Sequence, residues 1–187
     1  MVKIGVTRFA DVYAQSLEYE EFRLDELVEF IANTVADDKA SLPMLKCAHF
    51  GMVRTGAGAL RHDANVETIT GIEADYDGED MPFDEAIARL EEANLIFVAY
   101  TSPSHDPQRP RWRILLPCSK PLEPGRRGQL VNRLNGVLGG GLAGESWGLS
   151  QSYYYGRVNG AAFEIQLNSD GEYIDQADEL DAGALPF

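Results

Sequence analysis

Apolar residues recur along the chain with two different periods, which separate predicted helices from predicted strands. The helical period predicts three helices, over residues 22–35, 82–94 and 125–138. Glycines 139–141 are expected to end the third helix, because glycine tolerates a left-handed cap. Shorter apolar runs predict strands at residues 2–6, 47–53, 66–74, 95–101, 111–118 and 162–167.

The order of these elements predicts the fold class. Residues 95–101 form a continuous apolar run rich in β-branched and aromatic side chains, which indicates a central strand covered on both faces. Strands and helices interleave without the strict alternation of a parallel doubly wound sheet. We therefore expect an α+β fold with a mixed, mainly antiparallel sheet. Residues 1–170 are expected to form one domain, and residues 171–187, which are acidic and lack lysine and arginine, a loosely docked tail.

Bulk composition indicates a soluble cytoplasmic protein. The chain has 187 residues, of which 44% are hydrophobic and 25% charged, as in ordinary globular domains. No apolar run approaches the roughly 20 residues that span a bilayer, so we expect no membrane partner. Arg8 and Asp11 interrupt the N-terminal segment too early for a secretory signal. Cys47 and Cys118 lie far apart without metal-ligand spacing, which favours buried thiols in a reducing compartment.

Charge is distributed unevenly. The net charge of −14 argues at first against nucleic acid, whose phosphates require a positive surface. However, residues 67–92 hold ten acidic residues and one basic residue, whereas residues 105–133 hold seven basic and two acidic residues. An acidic centre beside a basic stripe is typical of a site that binds a metal and a polyphosphate. Solvated helix faces explain part of each run equally well.

An Asp-x-Asp pair ends the strand predicted over residues 66–74. Because alternate strand side chains point to the same face, Asp75 and Asp77 are expected to share one site. Two neighbouring carboxylates repel each other unless a cation lies between them, and oxygen ligands suit Mg²⁺ or Mn²⁺. The alternative is a strand that runs into a solvated acidic turn.

The next two strands bring further polar residues to the same region. His105 follows the strand 95–101, and Arg111 and Arg113 share a face of the strand after it. Since sequential strands are usually neighbours, these residues could meet in one cleft and bind phosphate oxygens. The alternatives are a turn histidine bonded to backbone and a solvent-facing row of arginines.

Three segments in this order resemble the archaeo-eukaryotic primase superfamily. They are Ile72–Asp77, Tyr100–His105 and Pro110–Pro117, and the resemblance spans roughly residues 40–160. Within the superfamily, the chain is most similar to the primase-polymerase domains of plasmid and phage replication proteins. The resemblance implies an RRM-like sheet lobe packed on a second α+β lobe.

The resemblance also implies a role for each matching residue. By position, the metal-binding pair corresponds to Asp75 and Asp77, the nucleotide-binding turn to Ser104 and His105, and the phosphate or template contacts to Arg111 and Arg113. The chain departs from the family at the third metal-binding aspartate. Glu145 is the only carboxylate in the corresponding stretch, residues 143–149, and we expect it either to reach the metal or to cap a turn.

These observations predict a metal-dependent nucleotidyltransferase of primase-polymerase type, from a plasmid or phage replication system. Its cofactor would be Mg²⁺ or Mn²⁺, and its partners nucleoside triphosphates, a single-stranded DNA template and a replicative helicase. The residues expected to contact nucleic acid are Arg109, Arg126, Arg127 and Tyr155. Two alternatives remain open: a degenerate replication-initiator module that binds nucleotide or single-stranded DNA without transfer, and a metal-dependent nuclease.

Overall fold

The computed structural model describes residues 2–187. The helices are α1 (Leu24–Asn33), α2 (Phe83–Glu92) and α3 (Arg127–Val137). The strands are β1 (Lys3–Phe9), β2 (Glu18–Arg23), β3 (Val35–Ala36), β4 (Met44–Lys46), β5 (Ala48–Phe50), β6 (Val66–Tyr76), β7 (Phe97–Thr101), β8 (Trp112–Leu122), β9 (Tyr153–Tyr154), β10 (Arg157–Val158) and β11 (Ile165–Asn168).

The strands form two main antiparallel sheets. One sheet has five strands in the order β11-β7-β8-β6-β5, and the other has four in the order β2-β1-β4-β9. The short strands β3 and β10 pair in parallel. This arrangement confirms the predicted α+β class with a mixed, mainly antiparallel sheet.

The five-stranded sheet lies between two layers of the core. On one face, Ile114 and Ala99 pack in the same cluster as residues of α2 and α3. On the other face, Leu115 and Val98 pack with residues of α1 and the four-stranded sheet. The predicted central strand, β7, is therefore buried on both faces, as expected. Asp75 points toward the four-stranded sheet, since it alternates with the apolar residues on the opposite face.

β6 and β8 are the two long strands, and their pairing sets the register of the sheet. The register shifts between Ile69 and Gly71, where the ladder is irregular. A Cβ atom at Gly71 would lie closer to the Leu116 carbonyl oxygen than van der Waals contact allows, so only glycine fits this approach. Beyond this point the pairing is regular, and it places Asp75 opposite Arg113.

The strand predictions differ from the structure in detail. Within residues 47–53 only β5, Ala48–Phe50, is a strand, and at Cys47 the chain passes from β4 in the four-stranded sheet to β5 in the five-stranded sheet. β2 was missed, because most of its residues are charged or exposed. It is an edge strand, where charged side chains are common because they oppose further pairing.

The acidic C-terminal segment is packed against the domain, which corrects the expectation of loose docking. Ile174 and Ala177 are fully buried. The Arg133 side chain, 1% exposed, extends from α3 to Asp178 and Asp181, with nitrogen–oxygen distances of 2.7 Å. The boundary at residue 170 stays a prediction.

The two cysteines agree with the sequence prediction: Cys47 and Cys118 are both buried and unpaired. Burial raises the pKa of each thiol. Among residues 2–187, no helix combines the length and apolar character needed to cross a membrane.

Candidate active site

Asp75, near the end of β6, is buried and is held by a cross-strand ion pair. It is 8% exposed, and its Oδ1 atom lies 2.5 Å from the Nε atom of Arg113 on β8. Arg113 is itself 5% exposed and also donates a hydrogen bond to the Tyr154 carbonyl oxygen. Arg113 therefore balances the charge of Asp75 rather than presenting a free guanidinium to the solvent.

Asp77 lies in an ordered turn immediately after β6. The Tyr76 phenol oxygen accepts hydrogen bonds from the backbone N–H groups of Asp80 and Met81, at 3.1 and 2.8 Å. The Tyr76 ring stacks on Trp112, with ring centroids 4.3 Å apart. The acidic turn is thus tied to the sheet, which fixes the backbone that carries the exposed Asp77 carboxylate.

Glu145 joins this pair from a short 3₁₀ turn, Gly144–Trp147. One carboxylate oxygen each of Asp75, Asp77 and Glu145 lies within 4.8 Å of the others. Asp75 is buried, whereas Asp77 and Glu145 are exposed. The three carboxylates that the sequence singled out therefore form one cluster.

The donor set fits a divalent cation. Oxygen ligands on opposite sides of one Mg²⁺ ion are about 4.2 Å apart, so a cluster within 4.8 Å needs only small side-chain movements. Arg113 hydrogen-bonds Oδ1 of Asp75, which leaves Oδ2 available to a cation. Glu145 is exposed and can approach the pair by rotamer changes.

The carboxylates face positively charged and hydroxyl groups across a cavity of about 210 Å³. The Lys39 ammonium lies 3.1 Å from the Ser104 hydroxyl oxygen. Arg111 also lines this cavity and forms an ion pair with Glu79 of the acidic turn. Acidic and basic groups that line one cavity match the two halves of a metal–polyphosphate complex.

Comparison with solved structures identifies this arrangement of strands. The AEP domain of the primase-polymerase of cyanophage S-2L superposes with a TM-score of 0.53, covering 95% of this chain and 88% of that domain, at 10% sequence identity. The chain has a primase-polymerase fold. This confirms the fold that the sequence resemblance implied.

Other comparisons add little to this result. The polymerase domain of Mycobacterium tuberculosis ligase D, in complex with DNA, gives a TM-score of 0.42 and 13% identity, covering 97% of this chain and 85% of that domain. No protein-family model and no curated protein sequence matches the chain. The primase-polymerase fold therefore rests on the structural superposition, which agrees with the resemblance seen in the three sequence segments.

His105 does not line the cavity of the primase-polymerase fold that contains the carboxylates. Its Nδ1 atom accepts a hydrogen bond from the Arg111 backbone N–H, at 3.2 Å. The residue borders a separate cavity with Phe83 and Glu164. This geometry agrees with the alternative of a turn histidine bonded to backbone, while Ser104, from the same turn, does line the carboxylate cavity.

Two of the four residues expected to contact nucleic acid are buried, which corrects that expectation. Arg127 is 2% exposed and bonds to Glu73, and Tyr155 is 4% exposed and packs against Phe30. Neither side chain presents its polar end to a surface groove of the carboxylate site. Arg109 and Arg126 are exposed, but neither lines that site.

A buried charge cluster behind the carboxylates was missed by sequence reasoning. Glu73, fully buried on β6, forms ion pairs with Lys46 of β4 and Arg127 of α3. Burial, followed by the nearby Arg127 charge, lowers the pKa of Lys46 to about 8. Lys39 was missed as well. The only signal for Glu73 was its spacing, two residues before Asp75 on the same strand face.

Proposed function

We propose that this chain is a metal-dependent nucleotidyltransferase that extends a nucleic acid 3′-hydroxyl with nucleoside triphosphates. The observation that carries the proposal is the convergence of Asp75, Asp77 and Glu145 on a cavity that also contains Lys39 and Arg111. The primase-polymerase fold supports it, because the cyanophage S-2L domain of the same fold is a primase-polymerase.

Asp75, Asp77 and Glu145 would hold one or two Mg²⁺ or Mn²⁺ ions. When bound, such ions neutralise phosphate charge and make a hydroxyl a better nucleophile. The three carboxylates would orient the attacking 3′-oxygen in line with the α-phosphorus. The 3′-hydroxyl loses its proton to solvent, its oxygen forms a bond to that phosphorus as the bond to the bridging oxygen breaks, and pyrophosphate leaves.

Lys39, Arg111 and Ser104 would bind the β- and γ-phosphates. Lys39 has no carboxylate partner within the described part of the chain, and Ser104 is exposed beside it. Arg111 is paired with Glu79, so a phosphate would have to share or replace that partner. Charge-assisted hydrogen bonds from these groups would hold the triphosphate in the cavity by its β- and γ-phosphates.

A second candidate is a module that binds nucleotide without transferring it. The Asp75–Arg113 ion pair favours it, because Arg113 competes with a metal for one of the carboxylates. A nuclease is supported less well. The cationic side of the cavity suits a triphosphate, whereas a nuclease needs only the metal and one phosphodiester.

One preparation tests all three functions. A 5′-labelled primer on a DNA template is incubated with Mn²⁺ or Mg²⁺ and all triphosphates, and a parallel sample measures binding of a labelled triphosphate. Transfer predicts a longer primer and pyrophosphate release. Metal-dependent triphosphate binding without extension would support the binding module instead, and shortening of the primer would support the nuclease.

The wider setting rests on the sequence. The template strand, the helicase partner, the plasmid or phage replication system and the cytoplasmic location stay predictions. With Arg127 and Tyr155 buried, we propose that the exposed residues Arg109 and Arg126 are the remaining candidates of that set for nucleic acid contact.

A further inference from the structure

β6 has an open edge beside the carboxylate cluster. β5 pairs with β6 only as far as Ile69, so the outward backbone groups of Glu73 and Asp75 have no strand partner among residues 2–187. Buried backbone groups without partners are costly, and other elements must therefore satisfy them. The residues that do so lie around Glu145.

The turn that carries Glu145 bonds directly to the backbone of Asp75. Ala143 donates its N–H to the Asp75 carbonyl oxygen at 2.9 Å. The Ser146 hydroxyl oxygen accepts the Asp75 N–H at 3.1 Å, and Ser146 is fully buried. Glu145 lies between these two anchors, so its position relative to Asp75 depends on them.

Arg127 of α3 hydrogen-bonds both to the turn that carries Glu145 and to β6. Its Nη2 atom donates to the Glu73 carbonyl oxygen at 2.9 Å and to the Ser146 carbonyl oxygen at 2.7 Å. The same nitrogen lies 3.1 Å from the Glu73 carboxylate. One buried guanidinium thus joins α3, the open edge of β6 and the turn that carries Glu145.

We infer that Arg127 and Ser146 are positioning residues, which hold the Glu145 turn against β6 and so fix the third carboxylate of the metal site. The inference rests on the proposed function and deepens it. It explains how a glutamate on a short 3₁₀ turn takes part in a cluster whose other members lie at the end of a long strand. Neither residue lines the cavity that contains the carboxylates.

The test measures Mn²⁺ binding by the electron paramagnetic resonance signal of the free ion, without any activity assay. Outer partners of metal ligands contribute about 10- to 100-fold to metal affinity. We expect Arg127→Met to weaken Mn²⁺ binding within this range, and Ser146→Ala to weaken it about tenfold. Arg127→Lys retains one nitrogen that can donate to both carbonyl oxygens, so it should recover part of the loss.

A double-mutant cycle separates positioning from general damage. If Arg127 acts through Glu145, Arg127→Met adds little further loss in a Glu145→Gln background. Arg133→Met is the matched control, because it removes the other buried arginine of α3, whose partners lie in the C-terminal segment. It should lower the melting temperature and leave Mn²⁺ affinity unchanged.

The outcomes are distinct. If Arg127→Met does not fold, the Mn²⁺ affinity of Ser146→Ala is the test. Two results would overturn the inference: wild-type Mn²⁺ affinity in both Arg127→Met and Ser146→Ala, or a loss from Arg127→Met that is as large in the Glu145→Gln background as in wild type. The proposed function stands in either case if Glu145→Gln alone binds Mn²⁺ more weakly than wild type. A wild-type chain that binds no Mn²⁺ would overturn both.

Discussion

Arg113 faces Asp75 directly across β8 and β6 and shares with it a nearly buried ion pair. The pair gives the strand end two functions, since Asp75 is both a candidate metal ligand and the counter-charge of a buried arginine. A bound cation has to share Asp75 with Arg113. Substitutions at Asp75 therefore change the stability of the fold as well as the site.

Asp75→Asn is expected to destabilise the fold, and Asp77→Asn is not. The first change leaves Arg113 buried without a counter-charge, which typically costs about 3–5 kcal/mol. Asp77 is exposed and carries no ion pair among the described residues, so its substitution should change the free energy of unfolding by less than about 0.5 kcal/mol. Urea unfolding of the two variants checks this. Equal stabilities would show that Arg113 does not depend on Asp75.

Lys39→Met is expected to raise the KM for nucleoside triphosphates and leave kcat nearly unchanged. Lys39 would contact the phosphates equally in the ground and transition states, and such uniform binding appears in KM. A hydrogen bond to a charged group contributes about 1.5–3 kcal/mol, so losing the Lys39 bond should raise KM by about 10- to 150-fold. Lys120→Met, an exposed lysine outside the cavity, is the control. An unchanged KM would remove Lys39 from the site.

From the contacts of the buried cluster, we expect Glu73→Gln to destabilise the fold far more than Lys46→Met. Within the described part of the chain, Glu73 is the one carboxylate bonded to Lys46 and Arg127, so removing its charge leaves two buried cations without a counter-charge there. We expect a loss of at least about 3–5 kcal/mol for Glu73→Gln. Lys46→Met leaves the Glu73–Arg127 pair balanced and should cost much less. Thermal unfolding ranks the two variants, and the reverse order would contradict this account of the cluster.

The C-terminal segment predicts a specific acid sensitivity. Hydrogen bonds from Arg133 lower the pKa of Asp181 to about 2, below the value of about 3.9 expected for the unfolded chain. A carboxyl with a lowered pKa stabilises the folded state above the unfolded pKa, and this contribution is lost as pH falls from about 4 to about 2.

The stability advantage of the wild type over Asp181→Asn should therefore be full at pH 6 and disappear near pH 2. Urea midpoints measured across this range provide the check. Asp170→Asn is the control, because Asp170 has no arginine partner among the described residues. A pH-independent difference between wild type and Asp181→Asn would refute the Arg133 pairing.

The sequence predicted the parts of the site that follow from local periodicity. Asp75 and Asp77 alternate at a strand end, and strand alternation alone places them together. Glu145 was named only because of the family resemblance, and its turn has no periodic signal. The structure adds that Ala143 and Ser146 fix this turn on the backbone of Asp75.

The failures came from contacts between residues distant in sequence. Arg127 and Tyr155 were read as surface residues, because neither charge nor aromatic character shows burial. Arg127 is buried because it donates a hydrogen bond to the Glu73 carbonyl oxygen on the open edge of β6. That edge is open because β5 stops pairing with β6 at Ile69. The C-terminal segment was read as loose from its acidity alone, whereas its acids pair with Arg133 of α3.

The most direct test of the proposed transfer is incorporation of a single nucleotide into a labelled primer–template with Mn²⁺, comparing wild type with Asp77→Asn. Asp77 is the appropriate position because its substitution should leave the fold intact. We expect wild type to add the nucleotide and release pyrophosphate, and folded Asp77→Asn to do neither. Equal incorporation by both proteins, or none by a wild type that binds Mn²⁺ and triphosphate, would contradict the proposed transfer.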